Sequence, residues 1–442
     1  MADTVFWTNN NGETEVSIIN ADAVLGLKSI PDKSIHCCIT SPPYFALRSY
    51  LPDSHDSKKL EIGREDTPEE YVARMVDVFR QVKRVLRDDG TLWVVIGDSY
   101  AGSGKGPNGG KVEHEGRMGF TGGKPYISDS IKPKDLIGIP WLFAFAMRAD
   151  GWYLRKDIIW EKQDPVPESV RDRPTSSHEY IFLFAKSRRY FYDLEAIREP
   201  VKPNANGLMA APSKHESNKN SSTGYVQRVV QYQEVKGANR RSVWNIATGN
   251  YSGAHFATFP TELVELCIKA GTSEHGACPV CGSPWRRMVK VEGLSSADYM
   301  RGKDKSAFMS EQGQKQNLRA PGISFSRKRK HIGWQPTCDC LVEGQIPEPV
   351  PCTVLDPFLG SGTTILVAQR MGRNGIGTEL YEKYCHIAKK RIGAEHRQLR
   401  IVVKSENLKQ GQSLFEDKPP IQNNQIAFPW EDAEDANEGG EQ

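Results

Sequence analysis

Apolar residues after Thr67 fall at Val72, Met75, Val76, Phe79, Val82 and Leu86, a three-and-four spacing that predicts an amphipathic helix to Leu86. Thr67-Pro68-Glu69-Glu70 starts it as an N-cap, a first-turn proline and two acids. Other stretches alternate or are apolar throughout, as strands do. Glu15–Ile19, Ser34–Thr40, Thr91–Ile96, Trp152–Trp160, His178–Lys186, Thr353–Leu355, Gly375–Glu379 and Leu399–Val403 read this way. Further helices are predicted over Leu136–Asp150, from Thr258 or Pro260 to Gly271, over Thr363–Arg370 and over Glu382–Ile392, with a turn at Asp88-Asp89-Gly90. Strands alternating with helices predict an α/β fold with a doubly wound, mostly parallel sheet.

The pattern breaks in three places. Ten glycines lie between Gly102 and Gly138, and 101–135 is expected to be a mobile loop or one ordered by a partner. Tyr190 to Asn250 loses periodicity and gains Asn, Ser, Lys and Arg. Residues 405–442 carry two lysines against nine carboxylates, a net of −7 expected to form a disordered acidic tail. With a total of +3, the rest of the chain is therefore +10, which suits a polyanionic partner. At 442 residues with 38% hydrophobic and 26% charged content the chain is globular in composition. It has no apolar run of membrane-spanning length and no secretory pattern after Met1, so no membrane partner and a cytoplasmic location are expected.

Two stretches carry chemistry. In Asp356-Pro357-Phe358-Leu359-Gly360-Ser361-Gly362-Thr363-Thr364 a strand turns into a helix through two glycines, which let backbone approach a ligand beside free helix N–H groups. A P-loop would need Lys after its last glycine, and a dinucleotide fingerprint would need a third glycine; neither is present. About twenty residues later a second strand ends in Glu379, a spacing that suits a carboxylate on ribose hydroxyls. The other stretch, Ser41-Pro42-Pro43-Tyr44, follows a strand directly. Its paired prolines stiffen the loop, and Tyr44 offers a flat face for a base.

These stretches resemble motif I (DPFxGSGTT) and motif IV ((S/N/D)PP(Y/F)) of the amino-methylating DNA methyltransferases. Asp157-Ile-Ile-Trp-x-Lys162 and His178 to Lys186 resemble motifs VI to VIII, and Ser252–Gly271 resembles motif X. Motif IV precedes motifs X and I, so the order is that of the β class, a circular permutation of the methyltransferase sheet. The resemblance implies S-adenosylmethionine as cofactor, contacted by Asp22, Phe256, Pro260, Asp356, Phe358, Gly360, Ser361, Gly362, Thr363 and Glu379. It implies Ser41, Pro42, Pro43 and Tyr44 as the catalytic loop. Ser41 Oγ and the Pro42 carbonyl would hold the amine of a base flipped from double-stranded DNA. Ser rather than Asp or Asn favours cytosine N4 over adenine N6. Arg173, His178 and Glu179 are read as structural or base-positioning, and Arg240 and Arg241 as phosphate contacts or solvated loop.

The implied organisation is a catalytic half over 1–190, a target-recognition region over 191–250, a cofactor helix over 251–271, an insertion over 272–350 and a cofactor half over 351–404. A bacterial, archaeal or phage-infected cell is the expected setting, with a cognate restriction enzyme as a compatible partner. Related loops that methylate RNA or protein glutamine, and a non-catalytic zinc-containing DNA binder, are the competing readings. The Pro351-Cys352 pair would suggest cytosine C5 chemistry, but that nucleophile belongs in motif IV, where this chain has Ser41.

Cys278-Pro-Val-Cys281 in the insertion reads as half of a zinc knuckle, with Cys338-Asp-Cys340 as its partner. A redox CxxC would need a βαβ context that is missing. The basic run Arg327–His331 lies in the same insertion. Cys37, Cys38, Cys267, Cys352 and Cys385 are expected to be buried thiols.

Overall fold

Strand β4 (Leu86–Ile96) shows how both sheet faces are covered. Leu92, Val94 and Ile96 join one buried cluster, and Trp93 and Val95 join another on the opposite face. The computed structural model describes residues 5–10, 12–47, 49–102, 131–165, 167–199, 238–248, 259–292 and 328–394. Outside them lie Phe256, most of the glycine-rich loop 101–135, most of the expected recognition region, Arg327, the predicted strand Leu399–Val403 and the acidic tail.

The remaining elements are β1 (Val5–Asn10), β2 (Glu15–Asn20), α1 (Ala23–Lys28), β3 (Ile35–Thr40), α2 (Pro68–Val85), α3 (Ile139–Ala149), β5 (Tyr153–Lys162), β6 (His178–Ala185) and β7 (Val243–Ile246). They continue with α4 (Thr261–Gly271), β8 (Arg286–Glu292), β9 (Lys328–Gln335), β10 (Thr353–Asp356), α5 (Thr363–Arg370), β11 (Asn374–Glu379) and α6 (382–394). Nine strands form one sheet in the order β1-β2-β11-β10-β3-β4-β6-β5-β7. Strands β2, β11, β10, β3 and β4 run parallel, whereas β6 is antiparallel to both neighbours and β1 is antiparallel to β2. The sheet is doubly wound and mostly parallel, as expected. Helices α1, α2 and α3 flank one face and α4 and α5 the other.

Permutation is visible in the register. Val354 and Leu355 of β10 sit opposite Cys37 and Cys38 of β3, so the strands bearing the two chemical stretches are neighbours. Both end at the same sheet edge, where doubly wound folds bind ligands. Thr67 caps α2 through the Glu70 N–H, and buried Tyr71, Met75, Phe79 and Val82 line its inner face.

Asp88-Asp89-Gly90 does not form the expected turn. Leu86 already pairs with Ile35 and Thr91 with Cys37, so the three residues bulge within β4. Strands β1, β7, β8 and β9 are not evident in the sequence pattern. The first two border the sheet, and β8 with β9 forms a separate two-stranded sheet in the insertion. Among the described residues no helix is long and apolar enough to cross a membrane.

Candidate active site

Asp356, at the end of β10, accepts hydrogen bonds from Thr40 Oγ1 at 2.7 Å, Thr364 Oγ1 at 2.7 Å and the Phe358 N–H at 3.0 Å. One carboxylate thus joins the end of β3, the glycine turn and the first residues of α5. It is 1% exposed, and burial pushes its carboxyl up to about 6 against the pull of these three donors. It lies beneath the cleft rather than on its lining.

Above it, one cavity of about 650 Å³ is lined by both chemical stretches. Ser41, Pro42, Pro43 and Tyr44 come from the loop after β3, Phe358, Gly360, Ser361 and Thr363 from the turn after β10, and Glu379 from the end of β11. Gly360 and Gly362 have φ of +52° and +81°, in the left-handed region that favours glycine. Gly362 caps α5 without lining the cavity. Arg391 braces the turn, donating to Ser361 Oγ at 2.9 Å and Thr363 Oγ1 at 2.8 Å.

Glu379 accepts the Gly360 N–H at 2.8 Å and the Tyr381 N–H at 2.9 Å, and burial pushes it up to about 7. Asp22 lines the same cavity while capping α1 through the Val24 N–H at 3.0 Å. Pro260 is buried at the start of α4, with its neighbour Phe259 on the lining.

The proline loop is held from three sides. Tyr71 donates its hydroxyl to the Pro43 carbonyl at 2.8 Å, and the Ala46 N–H donates to the Gly63 carbonyl at 3.0 Å. The Tyr44 ring lies so close to Gly97 that a Cβ there would sit 2.8 Å from Tyr44 Cε2. Tyr44 donates its hydroxyl to Glu179, whose other oxygen accepts from Lys162 Nζ at 2.6 Å. Burial, then the Glu179 carboxylate, hold the Tyr44 hydroxyl well above its ordinary range.

Several lining residues carry no distinctive signal in the sequence. Tyr50, Leu60, Tyr381 and Tyr384 form an apolar wall next to Glu379, with Tyr381 and Tyr384 rings 5.2 Å apart. Their one legible signal is a three-residue spacing directly after the acid. Glu179 lies on the lining, whereas Arg173 pairs with Glu168 at 2.5 Å and stacks on Tyr100. Arg240 donates to the Ile197 carbonyl at 3.0 Å, and Arg241 pairs with Glu199.

The four knuckle cysteines also come together. The Sγ atoms of Cys278, Cys281, Cys338 and Cys340 all lie within 4.8 Å of one another. Burial raises the Cys281 thiol, but hydrogen bonding with Ser283, Cys338 and Cys340 outweighs it and brings it down to about 6. Hydrogen bonding to Cys281 in turn holds Cys340 up to about 12. Four cysteine sulfurs at this spacing could hold a metal ion, and tetrahedral zinc would place them about 3.8 Å apart. His36 Nε2 donates to the Gly282 carbonyl at 2.9 Å while its Nδ1 accepts the Thr353 N–H at 3.0 Å. Arg87 donates to the Cys281 carbonyl at 2.7 Å. The cluster therefore docks at the starts of β3, β4 and β10, the sheet edge opposite the cleft.

A DNA methylase family model matches residues 35–283 and 352–390. The type II methyltransferase M.SmaI of Serratia marcescens is 35% identical over 376 residues, 85% of this chain and 90% of that protein. M.Cfr9I of Citrobacter freundii, also a type II methyltransferase, is 34% identical over 385 residues, 87% of this chain and 89% of its own. Among solved structures, PvuII DNA methyltransferase (cytosine-N4-specific) aligns with 90% of this chain and 95% of its own at 15% identity and a TM-score of 0.46.

Proposed function

This chain belongs to the N6/N4 DNA methylase family, and we propose that it moves a methyl group from S-adenosylmethionine to the N4 amine of a cytosine turned out of duplex DNA. One observation carries the reading: the Ser41–Tyr44 loop and the Gly360–Glu379 pocket open into a single cavity. The bound cofactor would supply an electrophilic sulfonium methyl. Glu379 would accept hydrogen bonds from ribose hydroxyls, the Tyr50, Tyr381 and Tyr384 wall would take a flat heteroaromatic ring, and the glycine turn would leave room for the methionine end.

The amine lone pair of cytosine is delocalised into its ring. Ser41 Oγ and the Pro42 carbonyl, both acceptors, would draw the amine hydrogens out of the ring plane and free that pair. Holding amine and methyl in line then lowers the barrier by positioning. The Cys278, Cys281, Cys338 and Cys340 cluster we read as a structural zinc site, remote from the reacting atoms.

The test of the base is mass spectrometry of nucleosides from duplex DNA treated with purified enzyme and cofactor. N4-methyldeoxycytidine is expected. N6-methyldeoxyadenosine in its place would overturn the choice of base, and methylation confined to RNA or protein would overturn DNA as substrate.

Cofactor affinity should also follow pH. Ribose hydroxyls donate to ionised Glu379, so binding weakens as pH falls below about 7 and this carboxylate takes a proton. The loss should approach tenfold per pH unit at pH 5–6. Glu379→Gln should bind more weakly above pH 7 and show little of this slope by calorimetry. An equally steep slope in the variant would assign the pH dependence elsewhere.

A further inference from the structure

An exocyclic amine that has taken a methyl group carries a positive charge and must lose a proton, and a serine hydroxyl is too weak a base to keep one. We infer that Ser41 and Tyr44 pass this proton to Glu179, which ends a three-residue relay; this rests on the amine-transfer reading above. The hydrogen bonds run in one direction. Ser41 Oγ donates to Tyr44 Oη at 3.5 Å, and Tyr44 Oη donates to Glu179 Oε2. All three residues line the cavity, so the relay starts where the amine would sit. Its middle member packs against Gly97, its ring filling the space that a side chain at position 97 would occupy.

The groups around Glu179 leave it this task. From β5, Lys162 pairs with it at 2.6 Å and holds the carboxylate in place. Just after β4, Asp98 is turned to the start of α3, where it accepts the Gly138 and Ile139 N–H groups at 3.1 Å. Asp164 and Glu168 share the cavity lining, with Glu168 paired to Arg173. Glu379 is engaged by two backbone N–H groups, Asp22 caps α1 and Asp356 lies below the lining. Among the described carboxylates of the cavity, Glu179 is the one linked to Ser41 through a single hydroxyl.

The step balances. The nitrogen lone pair forms the N–C bond as the S–C bond breaks, and that electron pair stays on sulfur as a neutral thioether. The amine proton moves to Ser41 Oγ as the serine proton moves to Tyr44 Oη and the tyrosine proton to Glu179. The products are a neutral methylamine and a neutral Glu179 carboxylic acid, which later loses its proton to solvent. Tyr44 is never a free phenolate, in keeping with its buried hydroxyl.

The test compares Glu179→Gln, Tyr44→Phe and the double variant in single turnovers on unmethylated duplex DNA that the wild type labels, across pH. The amide introduced by Glu179→Gln can accept from Tyr44 but cannot take a proton, and Tyr44→Phe keeps the ring. The wild-type rate should rise with pH on its acid limb. Each single variant should be slower by about 100-fold, the lower range for a lost proton acceptor, without that limb. The double variant should be no slower than either single one. Cofactor affinity by equilibrium dialysis should be unchanged in all three. A Glu179→Gln enzyme with the wild-type rate, or with its acid limb intact, would overturn the relay, since glutamine then suffices and the role is only to hold Tyr44. If Glu179→Gln loses cofactor binding through misfolding, Tyr44→Phe decides alone, because it leaves the Glu179–Lys162 pair intact. Ser41→Ala at full speed would instead sink the amine-transfer reading itself.

Discussion

Asp356→Ala should lower stability by about 3 kcal/mol and weaken cofactor binding by roughly 100-fold, the larger part of what three buried donors lose with their acceptor. Thr40, Thr364 and the Phe358 N–H all point at this carboxylate, and among the described residues only Thr364 has a second acceptor in reach, the Ile39 carbonyl at 3.3 Å. The damage should be shared between stability and function, because the same bonds hold the end of β3 against the glycine turn. Asp356→Asn should cost far less. Its amide oxygen keeps Thr40 and Phe358, while Thr364 can turn to donate to Ile39 and accept from the new NH₂.

Both variants should also lose one pH dependence, which is read most simply in the milder Asp356→Asn. The folded carboxyl titrates near 6, above its unfolded value, so its protonated form favours the native state. That contribution is complete below the unfolded value and is lost as pH rises through about 6. Relative to wild type, Asp356→Asn should therefore gain stability between pH 5 and 7.5. Urea unfolding at the two pH values reads this directly, and cofactor binding by Asp356→Ala at wild-type strength would end the assigned role.

Removing metal from the cysteine cluster should be the most damaging change of all for the insertion. Metal analysis of protein purified without chelator is expected to find one zinc per chain, and Cys338→Ser to abolish it. Zinc binding in small modules has apparent free energies of about 10–16 kcal/mol, comparable to the whole stability of a domain. The docking bonds from His36 and Arg87 depend on the Cys278–Gly282 turn keeping its shape. Nearby His275 stacks on Trp334, with ring centroids 5.5 Å apart, and packs edge-on against Trp285 at 4.8 Å. Chelation should therefore redshift tryptophan fluorescence and lower the melting temperature before it affects cofactor binding at the opposite sheet edge. A metal-free protein with unchanged fluorescence and melting would exclude a structural metal.

The legible parts of the sequence were those where one constraint acted alone. The apolar stripe of α2 follows helical spacing because one face is buried. The two loops were readable because proline and glycine restrict backbone in ways other residues do not. Edge strands were harder. Val243–Ile246 lies amid polar sequence, and its place is set by pairing with β5, some eighty residues earlier. Asp88-Asp89-Gly90 has turn composition, yet the register of β4 against β3 absorbs it as a bulge. The aromatic wall and the Glu179–Lys162 pair were obscure for another reason. They come from loops, strands and a helix far apart in the chain, and only the folded sheet brings them to one cavity.

The adjacency of β3 and β10 also governs when the enzyme can come into being. More than three hundred residues separate Thr40 from Thr353, and at about 5–20 residues per second their synthesis takes on the order of 15–60 s. Throughout that interval the N-terminal half on the ribosome has a strand with one side unpaired, which invites chaperone binding or wrong partners. A chain cut short at any point in between carries the proline loop without its counterpart, so incomplete translation yields protein unable to mark DNA.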